Sequence, residues 1–256
     1  MNPLKDKIVF ITGASSGIGK ATAVKFAECG ARILICARRN EKVQSLASDL
    51  TKQFNIDSYA FQLDVRKQSD VEKALAALPD QWKSISVLLN NAGLSRGLDN
   101  IQDAKIEDWD EMIDTNVKGL LYITRAVLPG MIKRNEGHII NIGSVAGHWT
   151  YAKGNVYAAT KFAVNALSQG MKMDLLGTPI RVTSIDPGLV ETDFSIVRFH
   201  GDQERAKKVY EGLTPLTPED IAESIVWAAT RPPHVNVNNI ILMATDQSSP
   251  TMVHRK

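Results

Sequence analysis

A short apolar run, Ile8-Val9-Phe10-Ile11, passes without a break into Thr12-Gly13-Ala14-Ser15-Ser16-Gly17-Ile18-Gly19. No other feature restricts the fold as much. An apolar run of strand length that ends in glycines reads as a buried parallel strand. Beyond the glycines, Ala23, Phe26 and Ala27 recur at helical spacing until Gly30 stops the pattern. Strand, glycine turn and helix make the first part of a βαβ unit, which needs a second parallel strand beside the first. Ile33-Leu34-Ile35-Cys36-Ala37 supplies it.

The alternation continues along the chain. Strands are predicted at 59–65, 87–90, 138–142, 181–185 and 240–243, and helices at 41–54, 69–78, 109–134 and 155–176. Strand and helix in strict alternation predict an α/β fold, a parallel sheet covered by helices on both faces. No repeat or linker divides the chain, so one domain over 1–256 is expected. The stretch 188–217 is irregular and charged. Connections of that length are often lids or binding loops, and it is read here as the substrate loop.

The chain is long enough, at 256 residues and 44% hydrophobic, to bury a sizeable core. A formal net charge of +2 gives no reason to expect nucleic acid or a membrane surface as partner. Cys29 and Cys36 are the only cysteines, and they offer neither a disulfide framework nor metal-ligand spacing, so no metal is expected. The opening segment, Met1 to Lys7, is polar and does not resemble a signal peptide, and no apolar run has membrane-spanning length. The cytosol is the expected location.

The glycine pattern is Gly-x-x-x-Gly-x-Gly, placed after the first strand and at the start of the first helix. Gly13, Gly17 and Gly19 let the backbone approach a pyrophosphate, and the helix N-terminus offers amides and a positive dipole end. Gly13, Ser15, Ser16, Gly17, Ile18 and Gly19 are therefore cofactor-binding candidates. The end of the second strand distinguishes the two nicotinamide dinucleotides. An acidic residue there suits the ribose hydroxyls of NAD, and an arginine suits the 2′-phosphate of NADP. The chain has Ala37-Arg38-Arg39 and no carboxylate at that point. Arg38 and Arg39 can each present a bidentate fork to phosphate, so NADP is the expected cofactor.

Tyr157 and Lys161 stand four residues apart, on one face of a helix, with Ser144 thirteen residues before Tyr157. A tyrosine with a pKa of about 10 is a poor base at neutral pH. A neighbouring ammonium favours the phenolate and lowers that value. Tyr157 is then the acid/base, Lys161 its tuner, and Ser144 a hydroxyl that stabilises charge on a substrate oxygen. Asn116 lies within an apolar stripe of Ile113, Val117, Leu120 and Leu121. A buried amide costs a few kcal/mol without partners, so it must be hydrogen-bonded.

Thr12 to Gly19, Asn90-Asn91-Ala92-Gly93, Asn116, Ser144, Tyr157-x-x-x-Lys161 and Pro187-Gly188 occur in the order and spacing of the short-chain dehydrogenase/reductases. The resemblance covers nearly the whole chain. It implies a Rossmann-type doubly wound parallel sheet of about seven strands, and Asn116, Ser144, Tyr157 and Lys161 as the catalytic set. By the same likeness Lys161 also holds the nicotinamide ribose, and Asn116 organises a water chain to the lysine. Asp64, Val65, Asn91, Ala92 and Gly93 match segments along the adenine and inner ribose. Pro187, Gly188, Val190 and Thr192 match the segment beside the nicotinamide amide. In the family the two long helices pack against a second subunit, which implies a homotetramer.

Within that family, residues 187–195, 197–199, 216–220 and the ending His254-Arg255-Lys256 are similar to NADP-dependent 3-hydroxy acid dehydrogenases. That likeness implies oxidation of the C3 hydroxyl of serine, L-allo-threonine and 3-hydroxypropionate-like acids. A substrate carboxylate needs a cation. Arg198 is the first candidate and Lys153 the second, with Ser144 and Tyr157 at the reacting oxygen. Two alternatives remain open here: an NADPH-dependent reductase of bulkier ketones, diketones or pterins, and an NADP-binding regulator without turnover.

Overall fold

The computed structural model describes residues 3–256; Met1 and Asn2, which begin the polar opening segment, lie outside the described residues. The elements run β1 (Ile8–Thr12), α1 (Gly17–Glu28), β2 (Arg32–Ala37), α2 (Asn40–Phe54), β3 (Ser58–Gln62), α3 (Gln68–Ala76) and β4 (Ile85–Asn90). Then come α4 (Ile106–Ile113), α5 (Leu120–Arg134), β5 (His138–Ile142), α6 (Asn155–Asp174), β6 (Arg181–Pro187), α7 (Phe194–Arg198), α8 (Gln203–Lys208), α9 (Pro218–Ala229) and β7 (Asn239–Leu242). The strands form one parallel seven-stranded sheet in the order β3-β2-β1-β4-β5-β6-β7.

Period-two alternation divides the central strands between two cores. Val9 and Ile11 of β1 join Phe26 of α1, Leu50 of α2 and Ile221 and Ile225 of α9 on one face. Ile8 and Phe10 join Val71 of α3 and Ile123, Val127 and Met131 of α5 on the other. All five residues of β1 are buried, which is why its sequence reads as a continuous apolar run rather than an alternating one. The strand order turns back between β1 and β4, and a doubly wound sheet opens a crevice beyond the carboxyl ends of its strands at such a point. Among the described residues, no helix is long and apolar enough to cross a membrane.

Three sequence expectations change. The strand predicted at 59–65 ends at Gln62. Asp64 accepts the backbone N–H of Arg66 at 3.1 Å, and the turn it forms pulls the chain off the sheet. The helix predicted as continuous over 109–134 begins at Ile106 and carries a wide π-helical turn over Asp114–Gly119. Such turns gather at functional positions because the extra residue re-aims side chains. The stretch 188–217 holds α7 and α8, and a further helix, α9, follows where no element was expected. Its start was legible: Thr217 and Asp220 form a reciprocal capping box, with Pro218 at the first helical position.

Candidate active site

An open cleft of about 440 Å³ lies along the carboxyl ends of the central strands. At one end is the glycine turn. Gly13 has φ +66°, and a Cβ there would stand 2.8 Å from the Cα of Ala92. A Cβ on Gly19 would collide with the side-chain amide of Asn91. These contacts bring the end of β4 against the turn and fix it there. Asn91 Nδ2 donates to the carbonyls of Thr12 (2.9 Å) and Gly13 (3.1 Å), while Thr12 Oγ1 accepts from the backbone N–H groups of Asn91 and Ala92. Ser16, at the cap of α1, makes no side-chain bond to the helix amides. Uncapped first-turn amides beside glycines fit a pyrophosphate.

Gly13, Ser15, Ser16, Gly17 and Ile18 line the cleft, as do Asp64, Val65, Asn91, Ala92 and Gly93. Pro187, Gly188, Val190 and Thr192 line its other wall. Gly19 is placed beneath Asn91 rather than on the surface of the cleft. Arg38 and Arg39 border the cleft at its glycine-turn end and are exposed. Arg39 donates to Ser15 Oγ (2.8 Å) and Ser16 Oγ (2.7 Å), so its guanidinium lies over the glycine turn. The strand end carries no carboxylate of its own, but tertiary structure brings one. Glu111 of α4 accepts from Arg38 at 3.3 Å. Asp64 is paired with Arg66 at 2.6 Å, whose hydrogen bond holds the Asp64 carboxyl below the usual range.

In the middle of the cleft are Ser144, Tyr157 and Lys161, all buried. Ser144 follows β5 and caps a single 3₁₀ turn, accepting from the Ala146 N–H at 3.1 Å. Lys161 Nζ donates to the carbonyl of Ile142 at 2.9 Å. Burial lowers its pKa to about 8, with the charge of Asp186 acting in the opposite direction. Tyr157 differs from the sequence expectation of a phenol lowered by Lys161. Burial pushes it up to about 12, Tyr151 adds to the rise, and Arg198 and a hydrogen bond to Ser144 pull the other way. Desolvation of the phenolate outweighs the nearby cations. Lys161 Nζ, 5.8 Å from the Tyr157 ring centroid, is engaged with a carbonyl instead.

Asn116 sits in the π-helical turn and is fully hydrogen-bonded. Its Oδ1 accepts from the Leu94 N–H (2.9 Å), and its Nδ2 donates to the Leu94 carbonyl (2.8 Å) and Thr160 Oγ1 (3.0 Å). It lies behind Gly93, where a Cβ would stand 3.3 Å from Asn116 Oδ1 and 3.7 Å from Lys161 Nζ. Of the expected catalytic set, Ser144, Tyr157 and Lys161 line the cleft together, and Asn116 lies behind its wall.

The remaining end is built by α7. Arg198 stacks over Tyr157 at 5.2 Å and over Phe194 at 5.4 Å. Its Nε donates to Ser95 Oγ at 3.0 Å and its Nη2 to the Tyr151 hydroxyl at 2.8 Å. Lys153 is not brought to this cleft. It is exposed and lines a separate small crevice with Asp99 and Asp108.

Sequence reasoning did not find several residues. Tyr151 and Ser95 hold Arg198 but carry no motif. Gln247 accepts the Leu189 N–H at 2.8 Å and closes on Gly188 from the far end of the chain. Asp186 is fully buried, accepting from His148 Nε2, Ser184 Oγ and Asn239 Nδ2 at 2.5 Å each. A Cβ at Gly143 would overlap its carboxylate, so the residue before Ser144 must be glycine. The available hint was an acid directly after the strand read at 181–185 and just before Pro187-Gly188. Among the described residues, no group of three or more His, Cys, Asp or Glu is placed to hold a metal.

The family described as short chain dehydrogenase matches residues 7–202. An NADP-dependent 3-hydroxy acid dehydrogenase of Salmonella typhi is 52% identical over 250 residues, 97% of this chain and 99% of that protein. A serine 3-dehydrogenase of Agrobacterium fabrum is 43% identical, covering 94% of each chain. Among solved structures, the closed form of a serine dehydrogenase complexed with NADP+ superposes with a TM-score of 0.91 at 48% identity, over 97% of this chain and 100% of that one.

Proposed function

The chain belongs to the short-chain dehydrogenase family, and from that premise we propose that it oxidises the C3 hydroxyl of small 3-hydroxy acids with NADP. Serine and L-allo-threonine are the leading substrates, with 3-hydroxypropionate-like acids behind them. One observation carries the choice: the Arg198 guanidinium stacks on the face of Tyr157, so a cation stands beside the reacting phenol. A carboxylate entering a cleft of this kind must be paired. The names of the two curated relatives and of the solved serine dehydrogenase point the same way.

When bound, NADP supplies the nicotinamide carbon that takes up the hydride. Gly13, Gly17 and the uncapped amides of α1 hold its pyrophosphate, and Arg38 and Arg39 its 2′-phosphate. Ser144 donates to the substrate oxygen and Tyr157 exchanges a proton with it. In oxidation the O–H proton goes to the Tyr157 phenolate as C3 loses its hydride and the C–O bond becomes a carbonyl. In reduction the phenol returns that proton. Burial and Tyr151 favour the neutral phenol; Arg198 and the Ser144 hydrogen bond favour the phenolate. Lys161 also has the place to hold a ribose hydroxyl, and Asn116 keeps the π-helical turn behind it. The product is a semialdehyde or β-keto acid, from which carbon dioxide can leave unaided. Residues 188–217 form the substrate loop of a single domain.

Initial rates followed by cofactor absorbance test this directly, with hydroxy acids and their methyl esters assayed in parallel with NADP and NAD. The acids should turn over far more efficiently than the esters. Esters that react equally well would sink the assignment and favour a reductase of bulkier carbonyls. We infer a cytosolic location and a homotetramer with this function. The tetramer is supported by exposed apolar side chains on α5 and α6, among them Leu121, Ile132, Phe162 and Met173. Light scattering that finds a stable 28.1 kDa monomer at micromolar concentration would contradict it.

A further inference from the structure

The two arginine-bearing ends of the cleft are joined through a carboxylate that the reaction does not use. Glu111 of α4 has a side chain only 18% exposed. Its Oε1 accepts from Arg38 Nη1 and Arg66 Nη1, each at 3.3 Å, and its Oε2 accepts from Arg96 Nε at 2.6 Å. Arg96 Nη1 then donates to the carbonyl of Val197 at 2.6 Å. Val197 immediately precedes Arg198. The flanking residues repeat the grip: the Gly97 N–H donates to the Arg198 carbonyl at 2.9 Å, and Ser95 Oγ accepts from Arg198 Nε at 3.0 Å. Three consecutive residues after β4 therefore hold the end of α7. The middle one is oriented by a group that also reaches Arg38.

We propose that Glu111 is a positioning residue with two opposed effects: it orients Arg96 and so sets Arg198 for a substrate carboxylate, and it weakens the grip of Arg38 on the 2′-phosphate of NADP. This builds on the NADP and hydroxy-acid function proposed above. The two bonds of Glu111 differ in strength. Arg96 is 19% exposed and its contact is short, so the charge-assisted bond is little screened. Arg38 is 50% exposed with a longer contact, a pair of the kind worth little and easily exchanged. A phosphate that recruits Arg38 leaves Glu111 held by Arg66 and Arg96. The carboxylate nevertheless remains close by, and its negative charge opposes a phosphate dianion. The carboxyl is held below its usual range: burial acts against this, but Arg96 and Arg38 outweigh it, so the charge is present at neutral pH.

The test uses the full chain and two independent readouts: NADPH affinity by fluorescence titration without substrate, and steady-state KM and kcat for serine. Glu111→Gln should bind NADPH about threefold more tightly, an effect of the size of one partly exposed charge pair. The same variant should raise KM for serine about fivefold, with kcat within about twofold. Arg96→Met should raise KM similarly and leave NADPH affinity unchanged. Glu111→Asp keeps the charge but shortens its reach, so it should return NADPH affinity to the wild-type value while KM stays high. This variant and Arg96→Met also serve if Glu111→Gln does not fold. A purely structural role would weaken cofactor and substrate binding together. That result, no change in either quantity, or an unchanged KM in Arg96→Met would each overturn the proposal. Failure of the underlying function is visible in the wild type alone, as no preference for NADPH over NADH or no oxidation of serine, and removes this proposal with it.

Discussion

The two ends of the cleft, the proposed adenine end and the proposed substrate end, each present arginine, but they are built in different ways. Arg38 and Arg39 follow β2 directly and lie beside a turn only about 25 residues earlier in the chain; Arg39 bonds to Ser15 and Ser16. Both arginines are exposed. Arg198 is partly buried, held by Ser95 from the loop after β4 and by Tyr151 from before α6. One end is a local βαβ device; the other is assembled from three distant segments. Local devices keep their geometry when loops change, because adjacent strands and a glycine turn fix them. An assembled site depends on every segment that contributes, so it can be retuned without disturbing the sheet.

The sharpest expected effect lies between the ends. Tyr157→Phe should reduce kcat by roughly 10²- to 10⁴-fold, the range for a lost acid/base. NADPH affinity should hardly change, because neither end is touched. If NADPH binding were lost as well, the reacting centre and the adenine end would not be separable. Substantial residual turnover would mean that another group handles the proton.

Arg198→Met comes next. Losing a charge-assisted bond should raise KM for serine about tenfold to a hundredfold while sparing neutral alcohols. NADPH affinity measured in the same variant should stay within about twofold. A larger change would blur the distinction between the two ends.

Arg38→Asp addresses the opposite end. The wild type should prefer NADP over NAD by at least about tenfold, or roughly 1.4 kcal/mol, and the variant should lose most of that preference. KM for serine should move little. Equal catalytic efficiency of the wild type with both cofactors would remove the role given to Ala37-Arg38-Arg39.

The last effect is on stability alone, touches neither end of the cleft, and comes from Lys161. Its folded pKa is about 8, below the unfolded value near 10.4, so the unfolded chain binds more protons between these two values. Stability relative to Lys161→Met should therefore rise with pH from about 8 to 10, by up to about 1.4 kcal/mol per pH unit. Tyr157 acts in the opposite sense only above pH 10, where its raised pKa keeps a proton that the unfolded chain loses. Urea titrations at pH 7, 8.5 and 9.5 measure the difference; a flat profile would show that the ammonium is not desolvated.

The sequence by itself determined the sheet, the glycine turn and the spacing of Tyr157 and Lys161. These are local or periodic features: period-two and helical patterning, a glycine where φ is positive, one turn of helix between two side chains. The buried strands were legible because both faces of β1 enter a core. The burial of Asn116 was legible too, as an amide inside an apolar stripe. The π-helical turn around it was not, because a continuous helix has the same periodicity and the wider turn is stabilised by Leu94 and Thr160. Only tertiary structure placed Glu111 beside Arg38, Tyr151 and Ser95 around Arg198, and Asp186 beneath Gly143. Each pairing joins residues that no spacing rule connects, and their partners are set by which loops the folded sheet brings to its carboxyl edge. Tertiary structure also reversed the direction of the tyrosine shift. A neighbouring charge can be counted from sequence, but the desolvation that opposes it depends on how deeply the fold buries the phenol.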